Sequence, residues 1–180
     1  MTIFDLETAR QDYFSLFGLP RRQGLDEGGL ELLYRDIQSR VHPDKHAHLS
    51  DSDKRLAMQW ATRVNEAYLT LKDPLKRARY LLELAGHDVR LETNTAMPAA
   101  FLLAQMELRE AVAEARAAGD IEALDSQHRR MKKDIREEYV QLQSALDCND
   151  LDLAGKLVRQ LMFQEKLLQE IDDALAHLDA

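Results

Sequence analysis

The apolar residues of this chain recur every three to four positions almost from end to end, and strand-like alternation with β-branched enrichment is nearly absent. Such spacing commits a chain to helices that bury one face against other helices. The expected fold class is therefore all-α. Only 7 glycines and 4 prolines interrupt 180 residues, and 45% hydrophobic with 31% charged residues is the balance of a folded, helix-rich protein. That length holds one large domain or two small ones.

The interruptions set the organisation. A short opening helix around Asp12 to Phe17 meets the Gly18-Leu19-Pro20 break. A second helix carries Leu30, Leu33, Ile37 and Val41 on one face and must end near His42, because Pro43 disfavours helical geometry in the residue before it. A polar loop through Lys45 to Ser50 follows. Asp51 or Ser52 can then cap a third helix with Leu56, Trp60, Val64, Ala67 and Leu71 along one side. Two matched apolar stripes joined by a loop make an antiparallel hairpin, with Trp60 and Tyr68 in its core. Asp73-Pro74 opens a short fourth helix with Ala78, Leu81 and Leu82 inward, and Gly86 closes it.

Residues 1–86 thus form a first domain, and 87–98, with Asn94, Thr95 and Pro98, read as a linker. Residues 99–180 hold three helices, punctuated by Gly119-Asp120 and Asn149-Asp150, each pair a helix stop followed by an N-cap. Ile121, Leu124, His128, Met131, Ile135, Leu142 and Leu146 keep heptad-like spacing. So do Ala154, Leu157, Leu161, Leu168, Ile171, Leu175 and Leu178, which predicts an antiparallel three-helix bundle.

The charge is split. Residues 1–90 carry 14 basic and 14 acidic side chains, whereas residues 91–180 carry 10 and 18 and so hold the whole net charge of -8. Two surfaces with different partners are implied, and a nucleic-acid binder, which needs a basic face, is not. Cys148 is the one cysteine, which rules out an internal disulfide or a thiolate metal set. The start, with Asp5, Glu7 and Asp12, suits neither a secretory nor a transit peptide, and no stretch has the apolar length of a membrane span. The cytoplasm is the expected compartment.

His42-Pro43-Asp44 falls in the loop between the two long helices. Pro43 fixes the backbone and stops the helix, leaving His42 and Asp44 projecting as a donor and an anionic acceptor, which suits docking onto another protein. His42, Asp44, His46 and His48 also form an alternating run of metal-ligand types, but alternate residues of a short loop rarely converge on one ion. As an acid–base pair, His42 and Asp44 lack any accompanying phosphate cradle, nucleophile elbow or paired-carboxylate motif, so no enzyme, cofactor or metal is expected.

In the helix beginning near Ala99, Phe101, Leu108, Val112 and Ala115 share one stripe and suffice to pack the bundle. Leu102, Leu103 and Met106 lie off it and continue into Glu107, Glu110 and Glu114; Phe163 lies off the core stripe of its own helix. Surplus apolar width rimmed by acids either packs against a neighbouring element or forms a binding patch.

The segments Asp12-Tyr13-Phe14-Ser15-Leu16-Phe17-Gly18-Leu19-Pro20, Tyr34-Arg35, Val41-His42-Pro43-Asp44-Lys45, Val64-Asn65-Glu66-Ala67-Tyr68 and Asp73-Pro74-Leu75-Lys76-Arg77-Ala78-Arg79-Tyr80-Leu81-Leu82, with Phe101-Leu102-Leu103 and Met106-Glu107-Leu108-Arg109-Glu110, resemble the J-domain family and within it the HscB-type branch, which serves iron–sulfur cluster assembly. The resemblance implies an N-terminal J domain, a C-terminal three-helix bundle and an L-shaped two-domain arrangement. It implies that His42, Pro43, Asp44 and Lys45, with Tyr34, Arg35 and Arg40, engage an HscA-type (DnaK-family) ATPase chaperone. It further implies that Leu102, Leu103, Met106, Glu107, Glu110, Glu114 and Phe163 bind an IscU-type scaffold protein. His46 departs from the branch, whose members usually have Phe there. The protein would then be a co-chaperone, expected to be monomeric, without chemistry of its own. A J-domain adaptor for another client and a coiled-coil scaffold are the competing readings.

Overall fold

A computed structural model describes residues 11–41, 50–87 and 97–178, and every element among them is an α-helix. These are α1 (Tyr13–Leu16), α2 (Glu27–Val41), α3 (Asp51–Lys72), α4 (Pro74–Leu84), α5 (Ala99–Ala118), α6 (Ile121–Asp147) and α7 (Leu151–Leu178). The chain divides into two compact units, Met1–Leu81 and Leu82–Ala180.

In the first unit α2 and α3 pack as a hairpin, and α1 packs on α3. The expected face of α3 is the buried one at Trp60, Val64, Ala67 and Leu71, with Leu56 half-buried. On α2 Leu30 is fully buried, while Leu33 and Ile37 are half-buried. The cap of α3 differs from expectation: Ser50, not Asp51 or Ser52, accepts from the Asp53 amide. Ser50 has the extended backbone of a capping residue, whereas Asp51 and Ser52 are already helical and so cannot cap. The single turn of α1 is held by Phe14, fully buried and stacked on Tyr80, and by the Tyr13 amide, which donates to the Tyr80 hydroxyl at 3.0 Å. Arg77 is buried and spends its charge within the unit, Nη1 donating to the Leu71 carbonyl at the C-terminus of α3.

Asp12 caps α1. Its Oδ1 accepts from the Phe14 and Ser15 amides, and its Oδ2 accepts from the Ser15 hydroxyl and from Arg21, 2.7 Å away. Burial acts to raise its pKa, but the Arg21 and Ser15 hydrogen bonds and the Arg21 charge outweigh it and hold the carboxyl at about 2, below the 3.8 of a free aspartate. A depressed folded pKa stabilises the fold above the unfolded value and loses that contribution as pH falls through the folded one. Wild type should therefore be more stable than Asp12→Asn at pH 5, with the gap closing between 3.8 and about 2. Urea unfolding of both proteins across that range checks this; a gap independent of pH would show that the ionised carboxylate contributes nothing.

In the second unit the punctuation is where the sequence puts it. Gly119 takes the left-handed conformation with φ 66°, and Asp120 accepts from the Ala123 amide to open α6. Asn149, φ 58°, closes α6, and Asp150 accepts from the Leu153 amide to open α7. The core runs through Val112 and Ala115 of α5, Leu124, Met131, Ile135 and Leu142 of α6, and Leu157, Leu161, Leu167 and Ile171 of α7. Late in α7 the heptad position Ile171 is fully buried, but its companions in the core are Leu167 and Ala174 rather than Leu168 and Leu175, which are half-buried. A heptad seam describes packing on one neighbour, but α7 contacts both α6 and α5.

Candidate functional site

The chaperone-facing candidates lie on and after α2. The helix ends at Val41 and α3 resumes after the Ser50 cap, so His42, Pro43, Asp44 and Lys45 fall in the connection of the hairpin; they lie outside the described residues, as do His46 and His48. Tyr34 is half-buried. Its ring stacks on Tyr68 with centroids 4.0 Å apart, and its hydroxyl donates to Asn65 and accepts from Gln38. Its position one turn from Leu30 and Ile37 was the signal for this packing role. Arg35 and Arg40 are exposed, and each is paired with the acid one turn upstream: Arg35 with Glu31, and Arg40 with Asp36 at 2.7 Å. Acid before base at this spacing is the favourable order on a helix. The exposed pair preorganises Arg35 only weakly and leaves it available to a competing carboxylate.

The client candidates lie on the opposite side of α5 from Val112 and Ala115. Leu102, Leu103 and Met106 are 39%, 58% and 64% exposed, and Glu107, Glu110 and Glu114 are exposed too. Leu103, Met106, Glu107, Glu110 and Glu114 follow i, i+3, i+4 spacing and so form one outward stripe. Phe163 of α7 remains 40% exposed and packs edge-to-face with Phe101, ring centroids 6.3 Å apart, which brings it to the N-terminal end of α5. Phe101 was assigned only to bundle packing; its contact with Phe163 joins the two helices at the patch. A residue pair 62 positions apart has no sequence signal beyond its aromatic type. On the flank of α5, Arg109 reaches Glu170 of α7 at 3.4 Å, in an open groove with Val112, Ala113 and Arg116.

Strip and edge-to-face anchor together make an apolar surface with an acidic rim, and such a surface in the second unit fits a partner segment with apolar anchors and basic flanks. Among the described residues no three His, Cys, Asp or Glu side chains gather as a metal site, and no helix is long and apolar enough to cross a membrane.

A helical hairpin of this form, with His-Pro-Asp in its connection and a helical bundle after it, defines a J-domain protein with a C-terminal helical domain. A family profile described as the HSCB C-terminal oligomerisation domain matches residues 97–172. The co-chaperone protein HscB homolog of Aromatoleum aromaticum is 56% identical over 171 residues, covering 94% of this chain and 97% of that one. That of Ralstonia nicotianae is 51% identical over 175 residues, covering 97% and 99%. The chaperone HscB from Vibrio cholerae superposes with a TM-score of 0.84 at 37% identity over 93% of this chain and 99% of that one. Human co-chaperone protein HscB gives 0.85 at 30% identity, over 91% and 81%. The chain belongs to the HscB co-chaperone family.

Proposed function

We propose that this protein binds an IscU-type iron–sulfur scaffold and delivers it to an HscA-type chaperone while stimulating that chaperone's ATPase, in support of iron–sulfur protein maturation. The observation that carries this reading is the exposed Leu102, Leu103, Met106 strip with its glutamate rim and Phe163 anchor, on a chain whose sequence sets His-Pro-Asp between two long helices. In this account residues 1–86 act on the chaperone, residues 87–98 link, and residues 99–180 hold the client. ATP hydrolysis then traps the scaffold in the chaperone's tight-binding state, and the protein itself catalyses nothing. Arg35 and Arg40 steer the encounter, so their loss should slow association and flatten its salt dependence more than it speeds dissociation.

The test is steady-state ATP hydrolysis by the matching chaperone. Stimulation that rises more with scaffold and this protein together than with the sum of each alone supports delivery. Stimulation indifferent to scaffold would leave an adaptor for a different client, and none at all would remove the chaperone assignment. On the client side, Leu103→Ala with Met106→Ala should weaken scaffold binding by roughly 10- to 100-fold, as loss of two central apolar anchors does. Their side chains are mostly in solvent, so the circular dichroism melt should hardly move. Unchanged affinity in isothermal calorimetry would sink the patch assignment.

A further inference from the structure

Leu102, Arg109 and Arg116 follow one another at the same interval along α5, two helical turns or about 10.5 Å each time, and so fall on nearly one line. That line faces α7. Arg109 meets Glu170 at 3.4 Å, and both arginines line a groove of about 510 Å³ whose other lining residues are Val112, Ala113, Ala117 and Glu170. Glu107, Glu110 and Glu114 lie roughly 140° further round the same helix, with Met106, Ala113 and Ala117 between the two rows. An apolar band on α5 is therefore bordered by cations toward α7 and by carboxylates away from it.

The two arginines are not equivalent. Glu170 already faces Arg109. Arg116 is exposed and makes no ion pair among the described residues, and Asp120, the next acid along the chain, is spent on the Ala123 amide at the start of α6. A cation in the last turn of a helix offsets the helix dipole, which accounts for the charge of Arg116 but not for the groove beside it.

We infer that Arg116 pairs with a carboxylate of the client, so that the bundle selects the charge polarity of the segment it holds. An acidic side chain lies toward α7, a small or aliphatic one lies over Ala113 and Ala117, and a basic one meets Glu107, Glu110 and Glu114. A segment laid the other way sets like charges together, which costs far more than the absence of an exposed pair, and that repulsion fixes the orientation. This rests on the client reading above and adds a selection rule that the apolar strip alone lacks, because apolar contact is indifferent to direction.

The test is isothermal calorimetry of the full chain with the IscU-type scaffold, in low salt and at about 0.5 M, where the Debye length falls to about 4 Å. Arg116→Gln should bind about two- to fivefold more weakly and Arg116→Glu at least about tenfold, with Arg116→Lys losing least and every deficit fading at high salt. Arg116→Glu with Glu110→Lys keeps the net charge and inverts its pattern, so it should bind more weakly than Arg116→Glu alone. Among scaffold variants with a single Asp or Glu replaced by Lys, one should bind Arg116→Glu more tightly than it binds wild type. An Arg116→Glu affinity within about twofold of wild type, a deficit undiminished at high salt, a double reversal that restores wild-type binding, or a scaffold panel without rescue would each overturn the pairing. Leu103→Ala with Met106→Ala separates the two claims. If that variant loses affinity while Arg116→Glu does not, the client patch stands and the polarity rule falls; a scaffold that does not bind wild type at all overturns both.

Discussion

Phe14→Ala should destabilise the N-terminal unit by about 3–5 kcal/mol, the cost of removing a fully buried aromatic side chain and leaving its cavity. The four residues of α1 cannot persist as a helix alone, since one turn closes too few hydrogen bonds to offset nucleation. They stay because Phe14 and Phe17 are buried and because Tyr13 and Phe14 stack on Tyr80. With Phe14 gone, the Asp12 cap and its Arg21 pair have no turn to cap, so the loss extends beyond the ring itself. A unit of this size has only about 5–15 kcal/mol in all, so the substitution consumes a large share. Urea unfolding followed by far-ultraviolet circular dichroism should show the midpoint of the N-terminal transition falling well below that of wild type. Phe14→Leu, which keeps most of the volume, should lose markedly less. A Phe14→Ala deficit under about 1.5 kcal/mol would mean that the site collapses around the missing ring and that α1 is not anchored as described.

The parts of this fold legible from sequence are those decided locally. Gly119-Asp120 and Asn149-Asp150 announce the turns of the bundle because a left-handed residue followed by a capping carboxylate needs no tertiary partner to be favourable. Pro43 and Gly86 act in the same way, and α2 ends before the first while α4 ends before the second. The misplaced cap of α3 has the opposite cause. Ser50, Asp51, Ser52 and Asp53 are all capping types in succession, and only the backbone conformation at Ser50 selects among them. Leu167 and Ala174 were missed because burial late in α7 depends on two neighbours at once. Of the candidate site, the α5 strip was visible as apolar residues in excess of one core face. The Phe101–Phe163 contact and the stacking of Tyr34 on Tyr68 were not, since each joins residues far apart in sequence. Arg35 and Arg40 could have been read as paired from Glu31 and Asp36 four residues before them.

His42→Gln should reduce stimulation of the chaperone ATPase by at least about tenfold, equivalent to 1.36 kcal/mol or more of lost coupling, while leaving scaffold affinity and the melting temperature unchanged. Pro43 has no N–H and a fixed φ, so the sequence disfavours a helix that runs on through this point. Histidine offers a flat heteroaromatic ring able to donate from one nitrogen and accept at the other, and the sequence sets it two residues before the Asp44 carboxylate. Glutamine keeps a donor and an acceptor of similar reach but loses the flat ring and adds a rotatable bond, so a surface complementary to the ring loses shape and order together. Stability should not follow, because this position lies in the connection between α2 and α3. The measurement is chaperone turnover against co-chaperone concentration for wild type and variant, each with and without scaffold, beside a calorimetric titration with scaffold alone. A variant that stimulates as well as wild type would take the trigger away from His42. A variant that loses scaffold affinity as well would show that the two surfaces are not separate functions, and the delivery mechanism would have to be rebuilt around a single site.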